Sequence, residues 1–200
     1  EERSLGQWCL PMLLSASPHA PLIDWGFPPQ ATQVRAFKQS LDTVSLPARF
    51  VGRRSELRRY KSDLLNGKLK KLLITGPGGQ GKTSLAGRLA LDLQKSGYCV
   101  LAWSARPENP WRNFQLRMEL ELDEARGKKY GSICARVESD AERAKWLLGL
   151  LMEQFDGRVV LFLDNLESLQ DPQTLDWQDP LLAAWVQTAH ATEGVILLVT

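Results

Sequence analysis

The chain is poor in the residues that build metal sites and covalent scaffolds. It has three cysteines and two histidines in 200 residues, and no CxxC pair. Cys9, Cys99 and Cys134 cannot form a disulfide framework, and His19 and His190 stand apart from them, so neither a zinc site nor a secreted knot is expected. Cys99 sits inside an apolar run and reads as a small buried hydrophobe. No apolar run reaches the ~18 residues of a membrane span, and the acidic start EERSLGQWCLPMLL is not a secretory signal. A charge bias is also missing: 25 Lys and Arg face 23 Asp and Glu, a formal net charge of +2. That balance argues against a nucleic-acid partner or an anionic membrane surface. Two basic clusters, RFVGRRSELRR and LKK, read as solvated faces or neighbours of phosphate. The expected location is a reducing compartment, the cytoplasm.

Apolar and helical patterns fill the middle and the end of the chain. Residues 1–46 carry Pro11, Pro18, Pro21, Pro28 and Pro29 and read as an extension or linker anchored by Trp25 and Phe27. A helix is predicted from Arg54 to Asn66, with Leu57, Tyr60 and Leu64 on one face and Gly67 at its end. Four apolar strands are predicted at 71–75, 98–103, 159–163 and 195–199. A helix carrying Leu85, Leu89 and Leu93 follows the first. One helix from Trp111 to about Arg126 and another from Glu138 to Phe155 precede the third. A face of Leu181, Leu182, Trp185, Val186 and Ala189 precedes the fourth. Strands apolar on both faces, separated by helices, imply a parallel sheet covered on both sides, a three-layer α/β/α core.

The stretch GPGGQGKTS, Gly76 to Ser84, lies between the first strand and the helix after it. Gly76 to Thr83 fits G-x-x-x-x-G-K-[ST], a phosphate-binding loop. Gly76, Gly78, Gly79 and Gly81 let the backbone N–H groups turn inward, and Pro77 stiffens the loop. Gln80 completes it, and the helix start near Lys82 adds further N–H groups and dipole charge. Lys82 is placed to reach the β and γ phosphates, Thr83 to ligate Mg²⁺ and Ser84 to touch the α phosphate. The alternative is a plain strand–turn–helix connection, which needs no Lys-Thr at a fixed offset. Asp164 ends the third strand at the carboxyl edge, where open α/β sheets bind ligands. It reads as a second Mg²⁺ contact, or as an ordinary cap. Glu167 is the next carboxylate. It could polarise an attacking water or cap the segment after it. Asp171, Asp176 and Asp179 read as loop solvation.

Together, FVGRRSEL, GPGGQGKTSLA, LFLDNLE and VILLVT resemble the STAND class of P-loop ATPases, relatives of the NACHT, NB-ARC and AAA+ modules. The resemblance covers residues 47–200. It implies a P-loop NTPase with strand order 5-1-4-3-2, incomplete here, with the fifth strand, sensor Arg, lid and winged helix beyond Thr200. It implies ATP or ADP with Mg²⁺ as ligands, and Val51 and Arg53 on the base side. It implies slow hydrolysis that operates a conformational and oligomerisation switch, with Lys82 and Asp164 as catalytic candidates; Glu167 joins them as the next available carboxylate, not through the resemblance. Other domains of the same polypeptide, and further copies of the chain, would be the partners. Asn165 departs from the Glu that many AAA+ relatives carry after the strand Asp, which favours a non-hydrolysing nucleotide-binding scaffold as an alternative. A remodelling or DNA-associated ATPase is a third. At the other end, Trp8, Pro11 and Leu13 loosely resemble the last strand of a CHAT protease-like domain, and no nucleophile follows from that match.

Overall fold

The computed structural model describes residues 44, 50, 52–106, 108–171, 173–174 and 176–200. Val51 and the Pro-rich extension up to residue 43, with its CHAT-like residues, lie outside them.

Four strands form one parallel sheet in the order β1-β4-β3-β2. They are β1 (Lys71–Leu73), β2 (Cys99–Ser104), β3 (Val159–Asp164) and β4 (Ile196–Val199). Among the described residues, six α-helices pack against it: α1 (Arg54–Leu65), α2 (Lys82–Lys95), α3 (Trp111–Leu120), α4 (Glu124–Cys134), α5 (Asp140–Gln154) and α6 (Pro180–Ala191). Helices α1 and α2 cover one face and α3 to α6 the other. The two cores show the period of 2 expected of pleated strands. Val160 and Phe162 of β3 pack with Leu64, Leu89 and Leu93 on the α1/α2 side. Leu161 and Leu163 pack with Trp103, Leu147 and Trp185 on the other. Every residue of β2 and β3 is buried, as a doubly covered parallel sheet requires.

The helical faces expected from spacing point inward. Leu85, Ala86, Leu89, Ala90 and Leu93 of α2 are buried, as are Ala144, Leu147 and Leu151 of α5. Leu182, Trp185 and Ala189 do the same on α6. Asp92 of α2 ties the α1/α2 layer together, 3.8 Å from Lys61 and 3.4 Å from Arg88.

Between Trp111 and Arg126 the single expected helix is two. Helix α3 stops at Leu120 and α4 begins at Glu124. Asp123 caps α4, its carboxylate accepting from Arg126 N at 2.9 Å. The break is held from outside: Gln154 of α5 accepts from Asp123 N at 2.8 Å and donates to Glu121 O at 2.7 Å. Backbone groups that would otherwise pair within one helix are satisfied by a side chain distant in sequence.

Lys71 departs from the solvated or phosphate-facing reading of LKK. Its ammonium donates to Ala189 O, Thr192 O and Val195 O at 2.8, 3.1 and 2.9 Å, closing the carboxyl end of α6. Burial holds its pKa below the ordinary lysine value, with the neighbouring Lys70 charge adding to the effect. Cys99 is buried as expected, and burial, reinforced by Glu121, pushes its thiol up to about 12. Among the described residues, no helix is long and apolar enough to cross a membrane.

Candidate functional site

The site lies at the carboxyl edge of the sheet, where three strand ends meet the start of α2. The chain leaves β1 through Gly76, with φ +147°, and turns through Gly79 and Gly81 at φ +76° and +75°. These left-handed backbone angles are where glycine carries little strain. A Cβ on Gly76 would meet Gln80 Oε1 at 2.9 Å, whereas Gly79 and Gly81 have open space around them. Gly81 is the N-cap of α2, and its carbonyl accepts the first helical bond, from Leu85 N at 3.0 Å. Among the described residues, no backbone N–H from Gly76 to Ser84 donates a well-formed hydrogen bond to a protein acceptor. The loop thus presents several backbone donors without a strong partner at the positive end of a 14-residue helix, an arrangement suited to an anion. Lys82 folds back over it, donating to Gly76 O at 2.8 Å and Pro77 O at 3.4 Å.

Asp164, 5% exposed, is the centre of a hydroxyl cluster. Its Oδ1 accepts from Thr83 Oγ1 at 2.6 Å and from Thr200 Oγ1 at 2.6 Å. Its Oδ2 accepts from Ser104 Oγ at 2.8 Å. Strand alternation explains the convergence. Ser104, Asp164 and Thr200 share the parity of Ala102, Phe162 and Leu198, which face α1 and α2. Ser104 and Asp164 are also direct partners in the β2–β3 register. Ser104 and Thr200 were not singled out in the sequence. Their signal was the polar residue ending an apolar run, which acquires meaning only once the strand pairing is known.

Asn165 follows in the left-handed region at φ +62°. Its side-chain amide donates to Ala105 O at 3.0 Å and Ser168 Oγ at 3.2 Å. It therefore ties the end of β3 to the segment after β2. Glu167 is exposed, on the short 3₁₀ turn Leu166–Leu169. Among the described residues, its carboxylate has no hydrogen bond that would make it a cap. It borders a cavity of about 770 Å³ that Gly76, Lys82, Thr200, Trp177 and His190 also line. Arg53 immediately precedes α1. It is the left-handed N-cap of α1 at φ +46°, its Nε 3.9 Å from Glu56, and no described hydrogen bond joins it to the glycine loop. Asp171 and Asp179 are structural: Asp171 accepts from Gln173 N and Thr174 N, and Asp179 caps α6.

The donor set fits a hard cation held jointly with an anion. Thr83 and Asp164 offer oxygen only, and among the described residues no group of three or more His, Cys, Asp or Glu could hold a metal alone. Magnesium characteristically takes one or two protein oxygens and completes its shell with phosphate and water. No known protein family, curated protein or solved structure matches the chain.

Proposed function

We propose that this chain binds a nucleoside di- or triphosphate, ATP or ADP, with Mg²⁺, in a P-loop of the STAND type. In this reading it serves as a nucleotide-operated conformational and oligomerisation switch within a larger signalling ATPase. The observation that carries the reading is the 2.6 Å bond from Thr83 to Asp164, which are 81 positions apart in sequence. It brings the last residue of the glycine-lysine-threonine motif against the acid at the end of β3. The strand order β1-β4-β3-β2 is the segment 1-4-3-2 of the order implied by the resemblance.

The roles follow from the chemistry of each group. The N–H groups of Gly76 to Ser84 cradle phosphate oxygens. Lys82 exchanges its two carbonyl partners for a phosphate, gaining a charge-assisted bond. Thr83 and Asp164 hold the cation. When bound, Mg²⁺ would neutralise charge on the phosphates and stabilise their transfer. Glu167, on the same cavity as Lys82, orients water. Arg53 and Val51 remain the proposed base-side residues. Preference for adenine rests on the resemblance alone.

A specific observation favours slow turnover or none. The Asn165 amide is committed to Ala105 and Ser168, so the residue following the strand acid serves the fold instead of the water. Steady-state phosphate release with Mg·ATP separates the two readings. Slow release, abolished by Lys82→Ala and reduced by Glu167→Gln, supports the switch. Tight binding with no release in any variant supports the scaffold.

A further inference from the structure

We propose that Ser104 is a positioning residue for the metal: its hydroxyl orients Asp164 Oδ2, the oxygen through which Asp164 meets the cation or a water bound to it. The inference rests on the nucleotide-binding reading above.

A carboxylate oxygen has two good acceptor directions. Asp164 Oδ1 already accepts from both Thr83 and Thr200. The oxygen with capacity to spare is Oδ2, and Ser104 Oγ at 2.8 Å is its described partner. The Ser104 side is built to hold still. The residue is 1% exposed, is in register with Asp164, and its own carbonyl accepts from Asn109 Nδ2 at 3.2 Å. Asn109 in turn accepts from Trp103 Nε1 at 3.0 Å, and Trp103 packs edge-on against Trp111 with ring centroids 5.0 Å apart. Immediately beyond, Ala105 N donates to Asp164 O at 2.9 Å. The carboxylate of β3 is therefore held by a strand end that is anchored in the aromatic core. Groups that orient a metal ligand in this way typically contribute about 10–100-fold to metal affinity.

The test is calorimetric titration of the full chain with ADP, with and without MgCl₂, on wild type, Ser104→Ala, Ser104→Cys, Asp164→Asn and the Ser104→Ala/Asp164→Asn double variant. The quantity read is the gain in ADP affinity on adding Mg²⁺. Expected is a roughly tenfold smaller gain in Ser104→Ala, with metal-free ADP affinity unchanged. Ser104→Cys, which keeps the volume but is a weak donor, should fall between. In the Asp164→Asn background Ser104→Ala should change nothing further, because it acts through Asp164. The proposal is overturned if the magnesium gain is intact in both single Ser104 variants. It is also overturned if metal-free and magnesium-dependent binding fall together, as for a merely structural serine, or if the loss persists beside Asp164→Asn. A wild type that binds ADP without any magnesium gain refutes the role of Ser104 and leaves the loop. A wild type that binds no ADP refutes the functional reading itself and Ser104 with it.

Discussion

Replacing Asn165 by Glu would place there the acid that many AAA+ ATPases carry after the strand Asp, and it should not accelerate phosphate release. The backbone at position 165 has φ +62°, a region Asn and Asp tolerate and most other residues enter at a cost of about 1 kcal/mol. The substitution also removes the amide that donates to Ala105 O at 3.0 Å, a bond with a net contribution of about 0.5–1.5 kcal/mol. The Asn165→Glu variant would lose both contributions, about 2 kcal/mol in all. For a chain of this size that lowers Tm by about 4–8 °C. Asn165→Asp isolates the second contribution, since Asp tolerates the backbone angle but lacks the donor. It should lose about half as much. Asn165 does not line the cavity that Lys82 and Glu167 share, so the new carboxylate leaves the strand in the direction of Ala105 and Ser168. Scanning calorimetry with a phosphate-release assay measures both effects. An Asn165→Glu variant as stable as wild type, with release accelerated severalfold, would refute the reasoning.

Lys71→Met should lower stability by about 1–3 kcal/mol, because the carbonyls of Ala189, Thr192 and Val195 lose their shared donor; denaturant titration reads it as a lower midpoint with unchanged slope. Cys99 gives a pH prediction. Its thiol is raised from an ordinary value of 9.0 to about 12, so between these values the folded state holds a proton that the unfolded state has released. That contribution to stability is complete below pH 9 and is lost as pH rises toward 12. Cys99→Ala should accordingly show a shallower decline in stability above pH 9 than wild type, measured by urea titration across that range.

The periodic parts of the chain were legible because their burial is nearly complete. Runs such as LFLD, buried on both faces, leave little freedom between strand and alternatives, and the leucine faces of α2, α5 and α6 lie where 3.6 periodicity puts them. The break between α3 and α4 was not legible. The buried spacing of Trp111, Phe114 and Met118 gives no sign of where α3 ends, and the arrest depends on Gln154, which arrives from α5. Lys71 misled for a similar reason: a lysine beside another lysine reads as surface, and its partners are carbonyls on α6. At the candidate site, the glycine turn from Gly76 to Gly81 that leads into α2 was readable from local spacing, because a loop's backbone geometry is local. The hydroxyls of Ser104 and Thr200 were not. They gain a role only when β2, β3 and β4 lie side by side, an outcome of packing that no window of sequence contains. Asn165 stands out in the sequence only against the AAA+ pattern that the chain resembles, and the structure adds its hydrogen bonds to Ala105 and Ser168 at the strand end.

The central claim is that Gly76 to Ser84 holds a nucleotide. Its most direct test is the nucleotide content and affinity of the purified chain. Denatured protein is chromatographed for released ATP or ADP, and refilled protein is titrated with Mg·ADP and Mg·ATP beside Lys82→Ala. The account predicts bound or readily rebound adenine nucleotide in the wild type. In Lys82→Ala, which keeps the fold but lacks the ammonium over Gly76 and Pro77, affinity should be at least tenfold weaker, corresponding to loss of one charge-assisted contact. A folded wild type with no nucleotide and no affinity for either, or one whose binding is indifferent to Lys82, would contradict it.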